Sequence, residues 1–304
     1  RTTRKNILKD YVKFNFQGFS FRNFHSLKVI VDTANAVPGV LIPEIFKNSR
    51  FKPLHLFKNL DGSFPNHDPD PLIENNLRFL KKEILRKPID LGVAFDGDGD
   101  RIVFIDETGK IIPGDLILAL IAKHLLKEKP GEKILYDLRC SKIIKETILE
   151  NRGKPIIGRV GHSFIKEKMR KEKILFAGEF SGHFYHKKHY FSESPLFVFF
   201  KIMEIILKEK TPLSKLIKPF KKYYHSGEMN FEVKNKEAKI RQLKSRYSGG
   251  KILKLDGLRI DFKDWWFLVR PSNTEPVLRL IIEAKTKKLM EKKKKELVSL
   301  VSSS

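Results

Sequence analysis

The stretch LGVAFDGDGDRIVFID, residues 91–106, contains two apolar runs on either side of six mostly polar residues. Apolar, β-branched and aromatic residues favour strands, so we expect strands at 91–95 and 102–105. The intervening DGDGDR must then lie at the tip of a strand pair, where functional side chains are commonly presented.

Outside this stretch, short strand-like runs alternate with longer amphipathic runs, which is typical of βαβ units with a mostly parallel sheet. The pattern predicts strands at 27–32, 54–57, 134–136, 155–160 and 174–176. It predicts helices at 38–46, 71–85, 113–126, 142–150, 164–170 and 195–208. After residue 227 strands predominate, at 230–233, 251–255, 258–262, 265–269 and 278–284, before a terminal helix at 287–300.

The length of 304 residues suits three blocks of about a hundred better than two larger ones. We expect a helix or linker at 1–26, leading in from an upstream domain, and an α/β domain with DGDGDR at 27–112. A second α/β domain is expected at 113–224 and a smaller C-terminal domain at 225–304.

Composition excludes several classes of protein. No apolar run approaches the roughly 20 residues of a membrane-spanning helix. The single Cys140 excludes a disulfide framework and a cysteine-ligated zinc site, and fits a cytoplasmic protein. The net charge of +25 comes from 61 Lys and Arg, which are mostly lysines spread along the chain. Such spacing indicates a solvated surface, so we do not expect nucleic acid to be the main partner.

The DGDGDR loop carries three carboxylates at alternate positions, Asp96, Asp98 and Asp100, with glycines between them. Alternation directs the carboxylates to one side, and carboxylate oxygens suit Mg²⁺. An EF-hand calcium loop and an acidic loop without metal are the alternatives. Arg101 argues against an EF-hand, because that motif requires glycine at its sixth position.

Three further loops combine polar and charged residues with glycine or proline. GEFSGH, residues 178–183, offers Glu179, Ser181 and His183, and carboxylate and hydroxyl groups can bind sugar hydroxyls. RPSNTEP, residues 270–276, resembles a phosphate cradle with Arg270, Ser272, Asn273 and Thr274. RVGHS, residues 159–163, adds Arg159 and His162. Each loop alone could instead be a structural turn, and His162 a structural histidine.

Taken together, in this order and spacing, the four loops resemble those of the α-D-phosphohexomutase family, in its bacterial phosphomannomutase/phosphoglucomutase branch. With the strand and helix pattern, the resemblance gives an α/β fold class: two related three-layer α/β domains with mixed sheets, then a smaller α+β C-terminal domain. It implies reversible phosphate transfer between O1 and O6 of mannose or glucose phosphate, through a phosphoserine and a hexose 1,6-bisphosphate.

The resemblance also implies a role for each loop. Asp96, Asp98 and Asp100 would hold Mg²⁺, and Arg101 would face the reacting phosphate. Glu179, Ser181 and His183 would bind the sugar. Arg270, Ser272, Asn273 and Thr274 would hold the other phosphate, while Arg159 and His162, like Arg101, would be catalytic residues.

Two departures bear on activity. The Thr-Ala-Ser-His-Asn-Pro type of loop that carries the family's catalytic serine is absent from these 304 residues. We therefore expect a missing N-terminal phosphoserine domain and an inactive isolated chain; a non-catalytic sugar-phosphate-binding protein or half of a split enzyme is the alternative. In addition, Arg159 stands where some relatives have lysine, and arginine can stabilise charge but hardly shuttles a proton.

Overall fold

The computed structural model describes residues 2–19, 21–47, 49–272 and 276–302. The chain opens with helix α1 (Leu8–Asn15) and a 3₁₀ helix at Phe21–Ser26. Three sheets follow in succession, each with its own helices.

The first sheet has the strand order β2-β1-β3-β4-β5. Strand β1 pairs in parallel with β2 and β3, and the remaining pairs are antiparallel. Its strands are β1 (Val29–Asp32), β2 (Leu54–Leu56), β3 (Leu91–Phe95), β4 (Ile102–Asp106) and β5 (Ile111–Ile112). Helices α2 (Pro38–Phe46) and α3 (Arg78–Arg86) belong to the same unit.

The second sheet repeats this topology in the order β10-β9-β8-β6-β7. Strand β6 is parallel to β7 and β8, and β9 and β10 return antiparallel. Its strands are β6 (Lys133–Asp137), β7 (Lys154–Gly158), β8 (Phe176–Gly178), β9 (Phe184–His186) and β10 (Ser192–Glu193). Its helices are α4 (Gly114–Glu128), α5 (Lys142–Glu150), α6 (His162–Glu172), α7 (Pro195–Glu209) and α8 (Leu213–Ile217). The shared topology confirms two related α/β units with mixed sheets.

The third sheet is antiparallel, as expected for a distinct α+β unit. Its order is β11-β16-β15-β14-β13, and β12 also pairs with β16. Its strands are β11 (Tyr224–His225), β12 (Met229–Glu232), β13 (Lys251–Leu253), β14 (Leu258–Asp261), β15 (Trp265–Pro271) and β16 (Val277–Ala284). Helices α9 (Lys236–Arg246) and α10 (Lys287–Ser302) complete it.

One apolar cluster runs through the first two sheets, since it includes residues of β1, β3, β6 and β8 together with most of α4 and α7. This explains why α4 and α7 are apolar on nearly every side, because such helices are buried all round. The third sheet has its own core. A small cluster of Leu138, Trp266, Leu268 and Ile281 joins it to the second unit. Within the described residues, none of the helices has both the length and the apolar character needed to span a bilayer.

Several element bounds differ from the sequence-based expectation. The predicted helix at 71–85 is a 3₁₀ helix at Glu74–Leu77 followed by α3, and the Asn76 side chain donates to the Asp70 carbonyl at 2.9 Å. The strand predicted at 174–176 lies at Phe176–Gly178. Helix α9 was not predicted, because Leu243 is its one buried residue and it lacks an apolar stripe.

Candidate active site

The DGDGDR loop brings its three carboxylates together. Ligand oxygens of Asp96, Asp98 and Asp100 all lie within 4.8 Å of one another. Strands β3 and β4 flank the loop, so it is not the helix–loop–helix of an EF-hand, and that alternative is wrong. Burial raises the pKa of Asp96, whereas a hydrogen bond from His183 lowers the pKa of Asp100. Converging hard oxygen ligands fit Mg²⁺, which these three residues would hold while leaving positions for other oxygens.

Arg101 closes this loop on itself. Its backbone N–H donates to Asp96 Oδ1 at 3.0 Å and its Nε donates to Asp96 Oδ2 at 2.6 Å. Its Nη1 reaches Asp70 Oδ1 at 3.2 Å. Burial opposes the charged form of Arg101, but the bonds and charge of Asp96 outweigh burial and raise the pKa of the guanidinium. Arg101 is therefore fixed with its charge at the edge of the carboxylate cluster.

The GEFSGH loop packs directly on the DGDGDR loop. The Ile102 N–H donates to the Gly182 carbonyl at 3.1 Å, and His183 Nε2 lies 3.2 Å from Asp100 Oδ1. Gly182 has a φ of +88°, and a Cβ there would lie 3.0 Å from the Ile102 carbonyl oxygen. A glycine is thus needed for the contact. Two loops about eighty residues apart in sequence form one continuous surface.

Within the GEFSGH loop, Ser181 and His183 are partly exposed, whereas Glu179 is buried. Ser181 Oγ lies 3.0 Å from His183 Nδ1. The Tyr185 hydroxyl donates to Glu179 Oε1, and the Gly161 N–H donates to Glu179 Oε2 at 3.3 Å. Burial and the neighbouring Asp137 raise the pKa of Glu179. Glu179 therefore supports the loop from beneath while Ser181 and His183 line its surface.

Sequence reasoning missed the buried pair that holds this loop. Asp137 ends the interior strand β6, and Arg139 Nη2 donates to Asp137 Oδ2 at 2.8 Å and to Glu179 Oε2 at 3.3 Å. The same nitrogen lies 3.4 Å from Ser181 Oγ, and the Phe180 N–H donates to Asp137 at 2.9 Å. Burial opposes ionisation of Asp137, but Arg139 and these donors lower its pKa. The sequence feature that could have identified Asp137 is its position at the carboxyl end of an interior parallel strand, because α/β sheets commonly bind ligands there.

The two candidate residues of the RVGHS loop lie in different surroundings. The Arg159 guanidinium is exposed and lies 3.9 Å above the Phe164 ring. His162, at the start of α6, approaches the DGDGDR loop, because ligand atoms of His162, Asp100 and Glu193 lie within 4.8 Å of one another. His162 Nδ1 is 3.5 Å from Glu193 Oε1. The structure thus places His162 beside the carboxylates and turns Arg159 onto an aromatic ring.

The RPSNTEP segment begins at the end of β15, which includes Arg270, and Arg270 is buried, with 4 % of its surface exposed. Its Nη2 lies 3.4 Å from Glu228 Oε2, and its Nη1 lies 3.9 Å from Asp256 Oδ2. Its Nε has no hydrogen-bond partner among the described residues. Ser272 is placed by its N–H donating to the Val277 carbonyl at 2.9 Å. Asn273 and Thr274 lie outside the described residues.

The RVGHS and RPSNTEP loops meet through Asp256. The Val160 N–H donates to Asp256 Oδ2 at 3.3 Å, and the same carboxylate lies near Arg270. Each of the four loops predicted from the sequence thus lies next to another one: DGDGDR beside GEFSGH and RVGHS, and RVGHS beside RPSNTEP.

Comparison with known families accounts for nearly all of the chain. Residues 9–109 match the family description "Phosphoglucomutase/phosphomannomutase, alpha/beta/alpha domain II". Residues 113–223 match domain III of the same description, and residues 228–300 match its C-terminal domain.

Individual proteins agree with this match. The chain is 41% identical to "Phosphomannomutase" of Methanocaldococcus jannaschii over 98% of its own length and 66% of that protein. It is 33% identical to "Phosphomannomutase" of Escherichia coli K12 over 98% of its length and 67% of that protein. A crystal structure of a phosphoglucomutase/phosphomannomutase family protein from Burkholderia thailandensis superposes with a TM-score of 0.89 at 30% identity, covering 98% of this chain and 64% of that chain. The chain spans 58 to 66% of the first curated relatives.

Proposed function

The chain belongs to the phosphoglucomutase/phosphomannomutase family, and on that basis we propose that it provides the metal, sugar and distal-phosphate sites of a phosphohexomutase. The reaction is the interconversion of hexose 1-phosphate and hexose 6-phosphate, with mannose or glucose as the sugar. Phosphate passes from a phosphoserine to the sugar, giving a hexose 1,6-bisphosphate, and the phosphate at the other end returns to the serine.

The contact between the DGDGDR and GEFSGH loops is the observation that carries this proposal. It puts three carboxylates and a charged Arg101 next to the partly exposed Ser181 and His183. When bound by the carboxylates, Mg²⁺ would neutralise phosphate charge at the reacting end. Arg101, already fixed by Asp96, offers the donors that remain to a phosphate oxygen.

A mutase must bind a phosphate at each end of the sugar, and the buried Arg270 supports a second phosphate site. Its Nε has no partner among the described residues, and unpaired buried donors are costly unless a ligand satisfies them. In this proposal Arg270 and Ser272 bind the phosphate that is not reacting, together with Asn273 and Thr274. The distal cradle then orients either end of the sugar toward the metal loop.

Two residues of the RVGHS loop have different chemical capacities. The imidazole of His162 can accept or donate a proton, and its place beside Asp100 and Glu193 suits proton transfer at a sugar oxygen. Arg159 keeps its proton, so its role would be charge stabilisation. The phosphoserine of the proposed reaction lies outside these 304 residues, because the serine loop is not among them.

The proposal is tested by titrating mannose 1-phosphate and glucose 1-phosphate into the chain with Mg²⁺ present, by calorimetry. We expect saturable binding that Arg270→Ala weakens by about 1.5 to 3 kcal/mol, the scale of a charged hydrogen bond. Arg241→Ala, an exposed arginine on α9 of the same unit, is the matched control and leaves the affinity unchanged. No binding by the unmodified chain, or equal binding by Arg270→Ala, would refute the site. Multiple turnovers by the isolated chain would refute the need for an external serine.

A further inference from the structure

His225 lies where the C-terminal unit joins the second unit. It belongs to β11, which pairs with β16 opposite Glu283. Its Nδ1 accepts the Gly227 N–H at 3.0 Å, so the ring proton resides on Nε2. That Nε2 donates to the Arg139 carbonyl at 3.1 Å. One ring therefore ties the backbone of the C-terminal unit to the residue whose side chain holds the GEFSGH loop.

The same ring also contacts aromatic side chains of both units. The His225 ring stacks on Phe180 of the GEFSGH loop, with centroids 4.9 Å apart and an interplanar angle of 23°. It forms a T-shaped pair with Trp266 of β15, with centroids 5.9 Å apart and an interplanar angle of 68°. Aromatic pairs in these geometries favour a defined ring orientation. A change in the position of the C-terminal unit must therefore move His225 relative to the GEFSGH loop.

The contacts continue on both sides of His225. Toward the sugar loop, Arg139 bonds Glu179 and approaches Ser181. Toward the phosphate cradle, Gly227 is followed by Glu228, whose two oxygens lie 3.4 Å from Arg270 and 3.1 Å from Arg279. Each link is a direct hydrogen bond, ion pair, ring contact or covalent neighbour.

We propose that His225 is a positioning residue that couples the phosphate cradle at Arg270 to the sugar loop at Glu179–Ser181. When a distal phosphate fixes Arg270, Glu228 and the backbone at Gly227 are fixed as well. His225 then holds Phe180 and Arg139 in the arrangement that presents Ser181. This inference rests on the proposed function for the identity of the ligand, but the physical coupling it describes does not need a ligand.

The ligand-free arm of the test measures coupling directly, by amide NMR on the full chain. Arg270→Ala should shift the amide signals of Phe180 and Ser181, and the shift should disappear when the same change is made in His225→Phe. Phenylalanine keeps the ring contacts and removes both hydrogen bonds. His225→Gln restores a donor toward the Arg139 carbonyl and should recover part of the response. Equal responses to Arg270→Ala in the wild type and in both His225 variants would overturn the proposal.

The binding arm uses hexose 1-phosphate and separates this inference from the proposed function. His225→Phe should weaken binding about fivefold to tenfold, the scale of lost neutral hydrogen bonds, with Mg²⁺ affinity unchanged. In the wild type, the effects of Arg270→Ala and Ser181→Ala on the binding free energy of hexose 1-phosphate should be non-additive. In the His225→Phe background, the two effects should add, so that the affinity of the double variant matches their sum to within about twofold.

The control is His189→Phe, which should change neither readout. His189 is a partly exposed histidine of the second unit, and its ring contacts those of Phe14 and Phe197. Absence of binding by the wild type would refute the proposed function alone, since the NMR arm still decides the coupling. Additive effects in the wild type would refute the coupling alone.

Discussion

Replacing Arg139 by methionine removes the guanidinium from a site where two buried carboxylates face each other. Asp137 and Glu179 are 0 % and 2 % exposed, and Arg139 contacts them at 2.8 and 3.3 Å. Methionine keeps most of the length of the arginine stem, so packing changes little and the loss is mainly electrostatic. The two carboxylates would then repel each other without a counter-charge.

The size of the effect follows from burial. Removing one partner of a buried ion pair costs about 3 to 5 kcal/mol, because the remaining charge stays desolvated. We expect Arg139→Met to lower the free energy of unfolding by that amount in equilibrium urea unfolding followed by circular dichroism. Adding Asp137→Asn should restore part of the loss, since the substitution removes one of the two unbalanced charges.

Arg159→Met is the matched control. Arg159 is exposed and its guanidinium lies 3.9 Å from the centre of the Phe164 ring, so its loss should cost about 0.5 to 1 kcal/mol. If Arg139→Met were no more destabilising than Arg159→Met, or if Asp137→Asn made the variant still less stable, the electrostatic account of this pair would be wrong.

Three other outcomes are expected. Asp98→Asn should weaken Mg²⁺ binding about tenfold or more in a calorimetric titration, because an amide replaces a charged ligand. Asp264→Asn, at a half-exposed carboxylate that pairs with Lys285, should leave the affinity unchanged. Equal Mg²⁺ affinities for Asp98→Asn and the wild type would remove Asp98 from the site. Burial and nearby positive charges lower the pKa of His186 to about 3 in the folded state. Between about pH 6.5 and 3 the unfolded state therefore binds more protons than the folded state, and the free energy of unfolding falls as the pH is lowered. The fall contributed by His186 is up to about 1.4 kcal/mol per pH unit, and His186→Phe should have a shallower acid slope in urea unfolding; an identical slope would contradict the assignment. Gly257→Ala should destabilise by about 1 to 3 kcal/mol more than Gly131→Ala, because both have positive φ but only at Gly257 would a Cβ lie 2.4 Å from a backbone carbonyl oxygen; equal thermal shifts would refute this clash.

Much of the fold is readable from local sequence because its strands are apolar runs bounded by polar loops. Residues 91–106 predict β3, β4 and the loop between them, and the structure has all three. Short partners such as β10 and β11 have two residues each and no pattern to read, since tertiary pairing alone defines them. Helix α9 was not predicted for a related reason, because it lies on the surface and has little apolar periodicity.

The candidate site likewise has a part that the local sequence predicts and a part that only tertiary packing creates. Asp96, Asp98 and Asp100 are contiguous, so their spacing predicts the cluster that the structure contains. Arg139 and Glu179 are forty residues apart and meet only because β6 and β8 are adjacent parallel strands whose carboxyl ends share an edge. The burial of Glu179 is likewise a consequence of tertiary packing, and nothing in GEFSGH distinguishes a supporting carboxylate from an exposed one.

In the proposed function, the DGDGDR, GEFSGH and RPSNTEP loops form one site for a sugar carrying phosphate at either end. A hexose 1,6-bisphosphate tests it most directly, because it carries both phosphates at once. In an amide NMR titration with Mg²⁺ present, we expect signals of Arg101, Ser181 and Ser272 to shift together with one dissociation constant. Inorganic phosphate, which cannot span the site, should not reproduce the joint response. Shifts confined to one loop, or separate dissociation constants for the loops, would contradict the account.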